Sequence, residues 1–342
     1  MVIVGVVMVR EKMQEIGLAC LPAARSFRDI SLVEIDLTND STPAVKLDAV
    51  LHNMSDFLSG KKGLRLIDRA ETFYEHLLAN TNVVCIDPIV SVRRIFSRLD
   101  QLELAKMSLE SSNFADRAFV PEFCLLESND RWANVHRLKE YGLRFPIICK
   151  PIRAQGDGAH DMAVVFDENG LEEIHYPVVA QRFINHNAQL FKISVVEEHV
   201  FTTQRPSIKN MHTSHGQRTL FFHTFLVSKD GHQYPLTKLD PNDKLGSIVP
   251  EEDEVLFAKI ATKVRQDFCL DLFSVDVIEC VEQGANSKNA EDMCEGYKRR
   301  KFAVIDVNPL PSYKNVPHFH HHLGNLIRKK LSLPTIPLED TD

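Results

Sequence analysis

Two apolar stretches, Leu272-Phe-Ser-Val-Asp-Val-Ile278 and Phe302-Ala-Val-Ile-Asp-Val-Asn308, each place an acid in the middle of a strand-like run. Side chains alternate faces along a strand, so Asp306 and Asn308, two residues apart, point the same way. If the two strands pair as a hairpin, Asp276 reaches that face as well. Unpaired carboxylates resist burial, which favours a shared role over two acids that merely face solvent. Three oxygen donors without a thiolate or an imidazole suit a hard cation, and magnesium held by a few protein oxygens plus substrate phosphates fits that set. The stretch between the strands, Glu282 to Arg300, is rich in Asn, Glu, Lys, Gly and Ser and reads as an exposed hairpin insertion.

Upstream, Phe145-Pro-Ile-Ile-Cys-Lys150 is an apolar strand that ends in a lysine. Gly156-Asp157-Gly158 follows, then a strand over Met162–Phe166. Val178–Phe183 is a further strand, interrupted by Asn185-His186-Asn187 before Leu190–Val196, which contains Lys192. A cation in an apolar strand needs an anionic partner, and nucleotide phosphates would supply one. Gly156 and Gly158 allow close backbone approach to such oxygens. Taken singly, either lysine reads equally well as a snorkelling strand-edge residue, and the glycine pair as an ordinary turn. His160 follows the glycine loop, and Arg205, Ser207 and Lys209 form a basic, hydroxyl-bearing stretch able to bind phosphate or to be a solvated turn. His318, His320, His321 and His322 lack a Cys or acid to complete a tetrahedral zinc set and read as a helix end.

Elsewhere the pattern alternates strands and helices, the mark of an α/β chain. Strands are expected over Val2–Val7, Leu32–Ile35, Ala49–Leu51, Val83–Ile86, Phe123–Leu126, Val200–Arg205 and Leu220–Leu226. Helices are expected over Gly63–Asn80, Asp130–Tyr141, Glu251–Phe268 and Val316–Leu331. Asp87-Pro88 looks like a cap followed by proline at the first helical position, opening a helix that runs through Arg98 to Ser112. A length of 342 residues predicts two or three subdomains.

The net charge of −7 argues against a general nucleic-acid binder but not against an anionic substrate, because steering depends on the field inside a cleft. No apolar run approaches the ~20 residues of a membrane helix. The apolar start at Met1–Val7 lacks a basic segment and a cleavage site, and reads as a core strand. Seven cysteines without a CxxC pair predict reduced thiols in a cytoplasmic or nuclear protein. Monomer is the default. The chain has no GxxxxGK[ST], no HRD with DFG, no GxSxG and no HExxH, so nucleotide chemistry must use another scaffold.

Taken in order, Phe145–Lys150, His160-Asp-Met-Ala-Val-Val-Phe166, Gln181-Arg-Phe-Ile-Asn-His-Asn187, Gln204-Arg-Pro-Ser207 and Val304-Ile-Asp-Val-Asn-Pro309 resemble the inositol 1,3,4-trisphosphate 5/6-kinase family, also called inositol tetrakisphosphate 1-kinases. The resemblance implies an ATP-grasp fold. A Rossmann-like α/β subdomain would span residues 1–97, a central α+β subdomain 98–191, and a C-terminal α+β subdomain with the metal site 192–342. It also implies ATP and magnesium as cofactors and an inositol tris- or tetrakisphosphate as acceptor. Arg98, Lys150, Lys192 and Ser207 would contact the nucleotide, with Gln181, Arg182, Phe183 and Ile184 at the adenine. His160 and Lys192 would be the catalytic pair. Lys12, His160, Lys192, Arg205, Asn308 and Ser312 would face the inositol phosphate, and Asp276, Asp306 and Asn308 would hold the metal.

Two positions depart from the family pattern. Where it has lysine after histidine, this chain has His52-Asn53-Met54, and its Pro-Gly-Tyr is Pro311-Ser312-Tyr313 here. Two other functions share the nucleotide and metal residues: an ATP-grasp ligase joining a carboxylate to an amine, and a catalytically silent inositol-phosphate binder. The basic set favours a polyphosphate over the first, and the intact acids speak against the second.

Overall fold

The valine-rich run Val2–Val7 forms β1, whose last four residues are buried, and it takes the interior of a parallel sheet. Its neighbours are β2 (Ile30–Glu34) and β3 (Ala49–His52), with β4 (Val84–Ile86) beyond β3. Parallel neighbours need crossovers, here carried by α1 (Arg10–Glu15) and by α2 (Ser55–Leu58) with α3 (Leu64–Ala79). The structure, a computed structural model, describes the chain except at residues 21, 39–45, 59–63, 80–81, 157, 212–216, 228–233, 242, 244–249, 282–299 and 339–342. The insertion expected between Glu282 and Arg300, and Asp157 of the glycine loop, lie outside the described residues.

The single helix expected from Pro88 to Ser112 is two helices. α4 (Ile89–Arg94) stops, and α5 (Arg98–Glu110) restarts behind Ser97, whose hydroxyl accepts from the Asp100 N–H at 3.3 Å. A serine that can cap offers the backbone a stop that competes with continuation. Nor does Asp87 cap α4. Pro88 holds that position without a side-chain bond, and the buried Asp87 carboxylate accepts from the N–H groups of Asp271 and Leu272, at 2.7 and 3.0 Å.

The rest of the chain builds two antiparallel-dominated sheets. Its elements are β5 (Ala118–Phe119), β6 (Phe123–Leu126), α6 (Arg131–Glu140), β7 (Ile147–Pro151), β8 (Asp161–Val165), β9 (Val178–Arg182), β10 (Gln189–Val196), β11 (His199–Pro206), β12 (Leu220–His223), α7 (Thr224–Val227), α8 (Glu251–Phe268), β13 (Leu272–Glu279), β14 (Phe302–Pro309) and α9 (Phe319–Lys330). The second sheet has order β12-β8-β7-β9-β6 and the third β11-β10-β13-β14-β5. The strand expected over Leu220–Leu226 ends at His223 because its partner β8 begins at Asp161, opposite His223, and nothing remains to pair with. Helix α9 starts at Phe319 rather than near Val316, since His318 is left-handed at φ 50°. Layer membership crosses the expected limits at residues 98 and 192: α5 packs on α8 of the third layer, and β10 starts at Gln189.

The interior is shared unevenly. Ile89, Val92 and Ile95 of the first layer pack in one cluster with Phe257, Phe273 and Phe302 of the third. Val4 and Val6 of β1 pack with Leu323, Leu326 and Ile327 of α9. Gly324 lets α9 lie close against the turn at Ser26, because a Cβ there would run into the Ser26 side chain. The second sheet adds Phe123 and Val179 to the first of these clusters and builds a separate one against α6 from Leu126, Val135, Leu138, Ile147 and Val165. Asp87 adds a polar tie between first and third layers. Asp87→Ala strips two buried N–H groups of their acceptor, at about 1–3 kcal/mol each. A fall of that order in urea-unfolding stability is expected, and an unchanged midpoint would refute the tie.

Candidate active site

Antiparallel register decides which side chains share a face of the third sheet. Lys192 lies opposite Thr203 on β11 and opposite Asp276 on β13, and Asp276 lies opposite Asp306 on β14. Arg205 and Asn308 are each two residues along from members of that row and join the same face. Lys192 Nζ stands 3.3 Å from Asp276 Oδ1, and Asn308 Nδ2 donates to Asp306 Oδ2 at 3.2 Å. The hairpin pairing expected of these strands is present, and it brings Asp276 to Asp306.

One detail of the hairpin is invisible in the sequence. Asp276 opposes Asp306 but Val277 opposes Val304, so Ile305 is the extra residue of a β-bulge. The Ile305 carbonyl accepts from Lys150 Nζ at 3.0 Å. Lys150 belongs to β7 of the second sheet, so this bond crosses the cleft. Arg98, at the start of α5, crosses it in the other direction. Its guanidinium meets Asp306 Oδ1 at 3.0 Å and donates to the carbonyls of Pro151 and Ala159 at 3.2 and 3.3 Å. A planar fork serves three acceptors in fixed directions, which an ammonium does less well.

These contacts set the charge states. Burial pushes the Lys150 pKa down to about 8, helped by Arg98 and opposed by Asp306 and Asp276. Burial also raises the Asp276 carboxyl above its ordinary value, against the pull of Lys192. For Asp306 burial acts upward too, but Arg98 and Lys150 outweigh it and hold the carboxyl below the usual range. Asp306 is therefore the firmly ionised member of the pair.

At the edge between the sheets, Gln181 is buried, and its Nε2 has no partner among the described residues. Phe183 packs with Ile208, Met211 and Phe222. Arg182 points outward to Glu122 at 3.4 Å. The Ile184 carbonyl accepts from His186 Nδ1 at 2.6 Å, and the Ser207 hydroxyl donates to His186 Nε2 at 2.7 Å. Ser207, expected at the nucleotide, thus has its hydroxyl fixed on a buried histidine. Lys209, read as part of a phosphate-binding stretch, is taken up by Asp240 at 2.8 Å.

Burial lowers the His186 pKa to about 4, only partly countered by its bond to Ile184. The unfolded chain takes this proton near pH 6.5 and the native state does not, so stability present above pH 6.5 is lost as pH falls toward 4. One such group contributes a slope of up to about 1.4 kcal/mol per pH unit. His186→Asn should therefore show a smaller drop in melting temperature between pH 7 and pH 5 than the parent chain. Equal drops would remove His186 as a source of acid sensitivity.

On the far side, Lys12 pairs with Glu15 at 2.9 Å. His160 Nδ1 lies 3.1 Å from Thr224 Oγ1, and the Thr224 N–H donates to the His160 carbonyl at 3.0 Å. Thr224 was not singled out from the sequence, where it sits inside what reads as one continuous strand. Asn53 is buried, its Oδ1 accepting from Ser55 Oγ at 2.7 Å. Ser312 follows β14 in the segment that leads to α9. The histidines near α9 are separately occupied: His320 donates to the Ile16 carbonyl, His321 meets Asn325, and His322 lies tilted against His199 with ring centres 4.1 Å apart.

The donor chemistry fits the groups the fold calls for. Asp276, Asp306 and Asn308 offer oxygen only, and the Asn308 amide already spends its nitrogen on Asp306. No trio of His, Cys, Asp or Glu gathers as a softer metal site among the described residues. The unpartnered Gln181 Nε2 and Arg205 Nε are donors left for a ligand.

The family profile described as the inositol 1,3,4-trisphosphate 5/6-kinase ATP-grasp domain matches residues 112–329. The chain belongs to this family. Among relatives of the 5/6-kinase family, it is 30% identical over 300 residues to an inositol-tetrakisphosphate 1-kinase of Danio rerio, covering 86% of this chain and 70% of that one. A namesake from Xenopus laevis is 28% identical over 334 residues, covering 97% and 79%. Among solved structures, a RimK-domain ATP-grasp protein from Sphaerobacter thermophilus superposes with a TM-score of 0.51 at 13% identity, covering 96% of this chain and 98% of that one. The D-alanine–D-alanine ligase of Bacillus anthracis gives 0.52 at 13% identity, covering 97% and 96%. Likeness at that level establishes the ATP-grasp fold for this family member, not its reaction.

Proposed function

We infer that this chain is an inositol polyphosphate kinase, which moves the terminal phosphoryl group of ATP to a hydroxyl of an inositol tris- or tetrakisphosphate. The observation that carries the reading is the row Arg205, Lys192, Asp276, Asp306 and Asn308 on one sheet face, met by Lys150 reaching in from the opposite sheet. The new bond joins the acceptor oxygen to phosphorus, the bond between phosphorus and the bridging oxygen of ATP breaks with its electron pair left on ADP, and the hydroxyl proton passes to solvent. Charge in such a transition state spreads over the equatorial oxygens, so catalysis needs positioned cations more than a strong base. Lys150, Lys192 and Arg205 supply them, with His160 on the acceptor side.

Asp276, Asp306 and Asn308 are the residues that would hold magnesium, which when bound adds Lewis-acid charge to the nucleotide phosphates. Gln181 to Ile184 would take the adenine, with Phe183 as an apolar wall. Lys12 and Ser312 complete the acceptor side. We further assign the protein to the cytoplasm or nucleus as a monomer. The described cysteines are all unpaired, as in a reducing compartment, and no helix among the described residues is long and apolar enough to cross a membrane.

The test is incubation with ATP, magnesium and a panel of inositol phosphates, with product isomers resolved. Acceptor-dependent gain of one phosphate is the expected result. ADP release that requires a carboxylate and an amine instead would establish the ligase chemistry, and no acceptor-dependent turnover would leave a silent binder.

A further inference from the structure

A cavity of about 590 Å³ opens between the C-terminal end of α1 and the segment joining β14 to α9, with Glu15, Lys314, His318 and His320 on its walls. It begins one helical turn beyond Lys12, on the face of α1 that carries Glu15. Glu15 already bonds Lys12 at 2.9 Å. Lys314 is exposed and makes no ion pair of its own among the described residues. Partial burial works to raise the Glu15 carboxyl, but Lys12 first, then Ser312 and then Lys314 hold it below its ordinary value. A carboxylate bonded to one lysine, with a second lysine lining the same cavity, presents the oxygen atoms that a phosphate would present.

We propose that Lys12 and Lys314 form a phosphate subsite of the acceptor, which Glu15 fills when no acceptor is bound. The inference rests on the kinase reading and deepens it. Asn53 is buried and bonded to Ser55, and it brings no charge to the acceptor side. Lys314 thus supplies acceptor-side charge from a different element of the fold. A phosphate monoester bears about −1.5 to −2 at neutral pH and outcompetes a single carboxylate for two ammonium groups. The cavity is large enough to admit a phosphate group. The subsite therefore favours acceptors with a higher phosphate count.

The experiment measures KM and kcat for an inositol trisphosphate and an inositol tetrakisphosphate, with KM for ATP alongside, in the parent chain and in Lys314→Ala, Lys314→Arg and Glu15→Gln. Lys314→Ala should raise the acceptor KM about ten-fold, the effect of one lost charge-assisted hydrogen bond. The KM for ATP should not move, and Lys314→Arg should restore most of the loss. Glu15→Gln should lower the acceptor KM about three-fold, more for the tetrakisphosphate, because both lysines are then uncompensated. Unchanged acceptor KM in Lys314→Ala, with the parent chain active, overturns the subsite alone. A parent chain that phosphorylates no inositol phosphate overturns the kinase reading and the subsite together. A Lys314→Ala chain that fails to fold leaves Lys314→Arg and Glu15→Gln to decide, and a Glu15→Gln acceptor KM equal to or above the parent's overturns the proposal.

Discussion

Asp306→Ala is expected to lower turnover by about 10³-fold at saturating ATP, acceptor and magnesium, the scale of losing a central electrostatic contact at a reacting phosphate. Three losses coincide in this substitution. A metal-type oxygen donor disappears, Arg98 loses its carboxylate partner at 3.0 Å, and Lys150 loses one of the two acids that offset its burial. Arg98 is nearly excluded from solvent, and a buried charge left without its partner costs about 3–5 kcal/mol. Its remaining bonds to Pro151 and Ala159 soften that cost. Asp306→Asn should lose turnover to a similar degree while losing less stability, because an oxygen still faces the guanidinium. Full turnover in either variant would remove Asp306 from the site.

Lys192→Ala should raise the KM for both ATP and the inositol phosphate and lower kcat/KM about 10²-fold. Its place between Thr203 and Asp276 puts it in the middle of the polar row. The same change removes the cation that opposes burial of Asp276, so that carboxyl climbs further and stays neutral to a higher pH. The rising limb of the pH–activity profile should then move to the alkaline side. Lys192→Arg should recover part of both effects. Unaltered KM values for both substrates, with an unshifted profile, would place Lys192 outside the reaction.

Much of this site was readable from residue order because strands alternate faces with period two. Polar residues inside Leu272–Ile278 and Phe302–Asn308 had to share a face once the strands paired, and they do. The helix Glu251–Phe268 was equally plain, with four acids opening its first turn. The Ile305 bulge was not readable, because a register slip belongs to the pairing and not to either strand. Asp87 looked like a helix cap since local sequence cannot reveal acceptors needed 184 residues away. Ser207 looked free to bind phosphate for the same reason, its partner His186 lying 21 residues earlier. The break before α5 was different. Ser97 and Asp100 carry a cap signature that the apolar periodicity around them masked.

The uneven sharing of interior packing has a mechanical consequence. The first and third layers are joined through two apolar clusters and through Asp87, so they form one block. The second sheet has an interior of its own and reaches the block's apolar cluster through Phe123 and Val179. Hydrogen bonds also tie it there: Lys150 to Ile305, the Arg98 guanidinium to Pro151 and Ala159, and the backbone bonds Arg98 N–H to Ile152 and Ala154 N–H to Phe96. A polyphosphate that draws the Lys150 ammonium to itself takes it from the Ile305 carbonyl, so ligand arrival weakens the hold between the second sheet and the block.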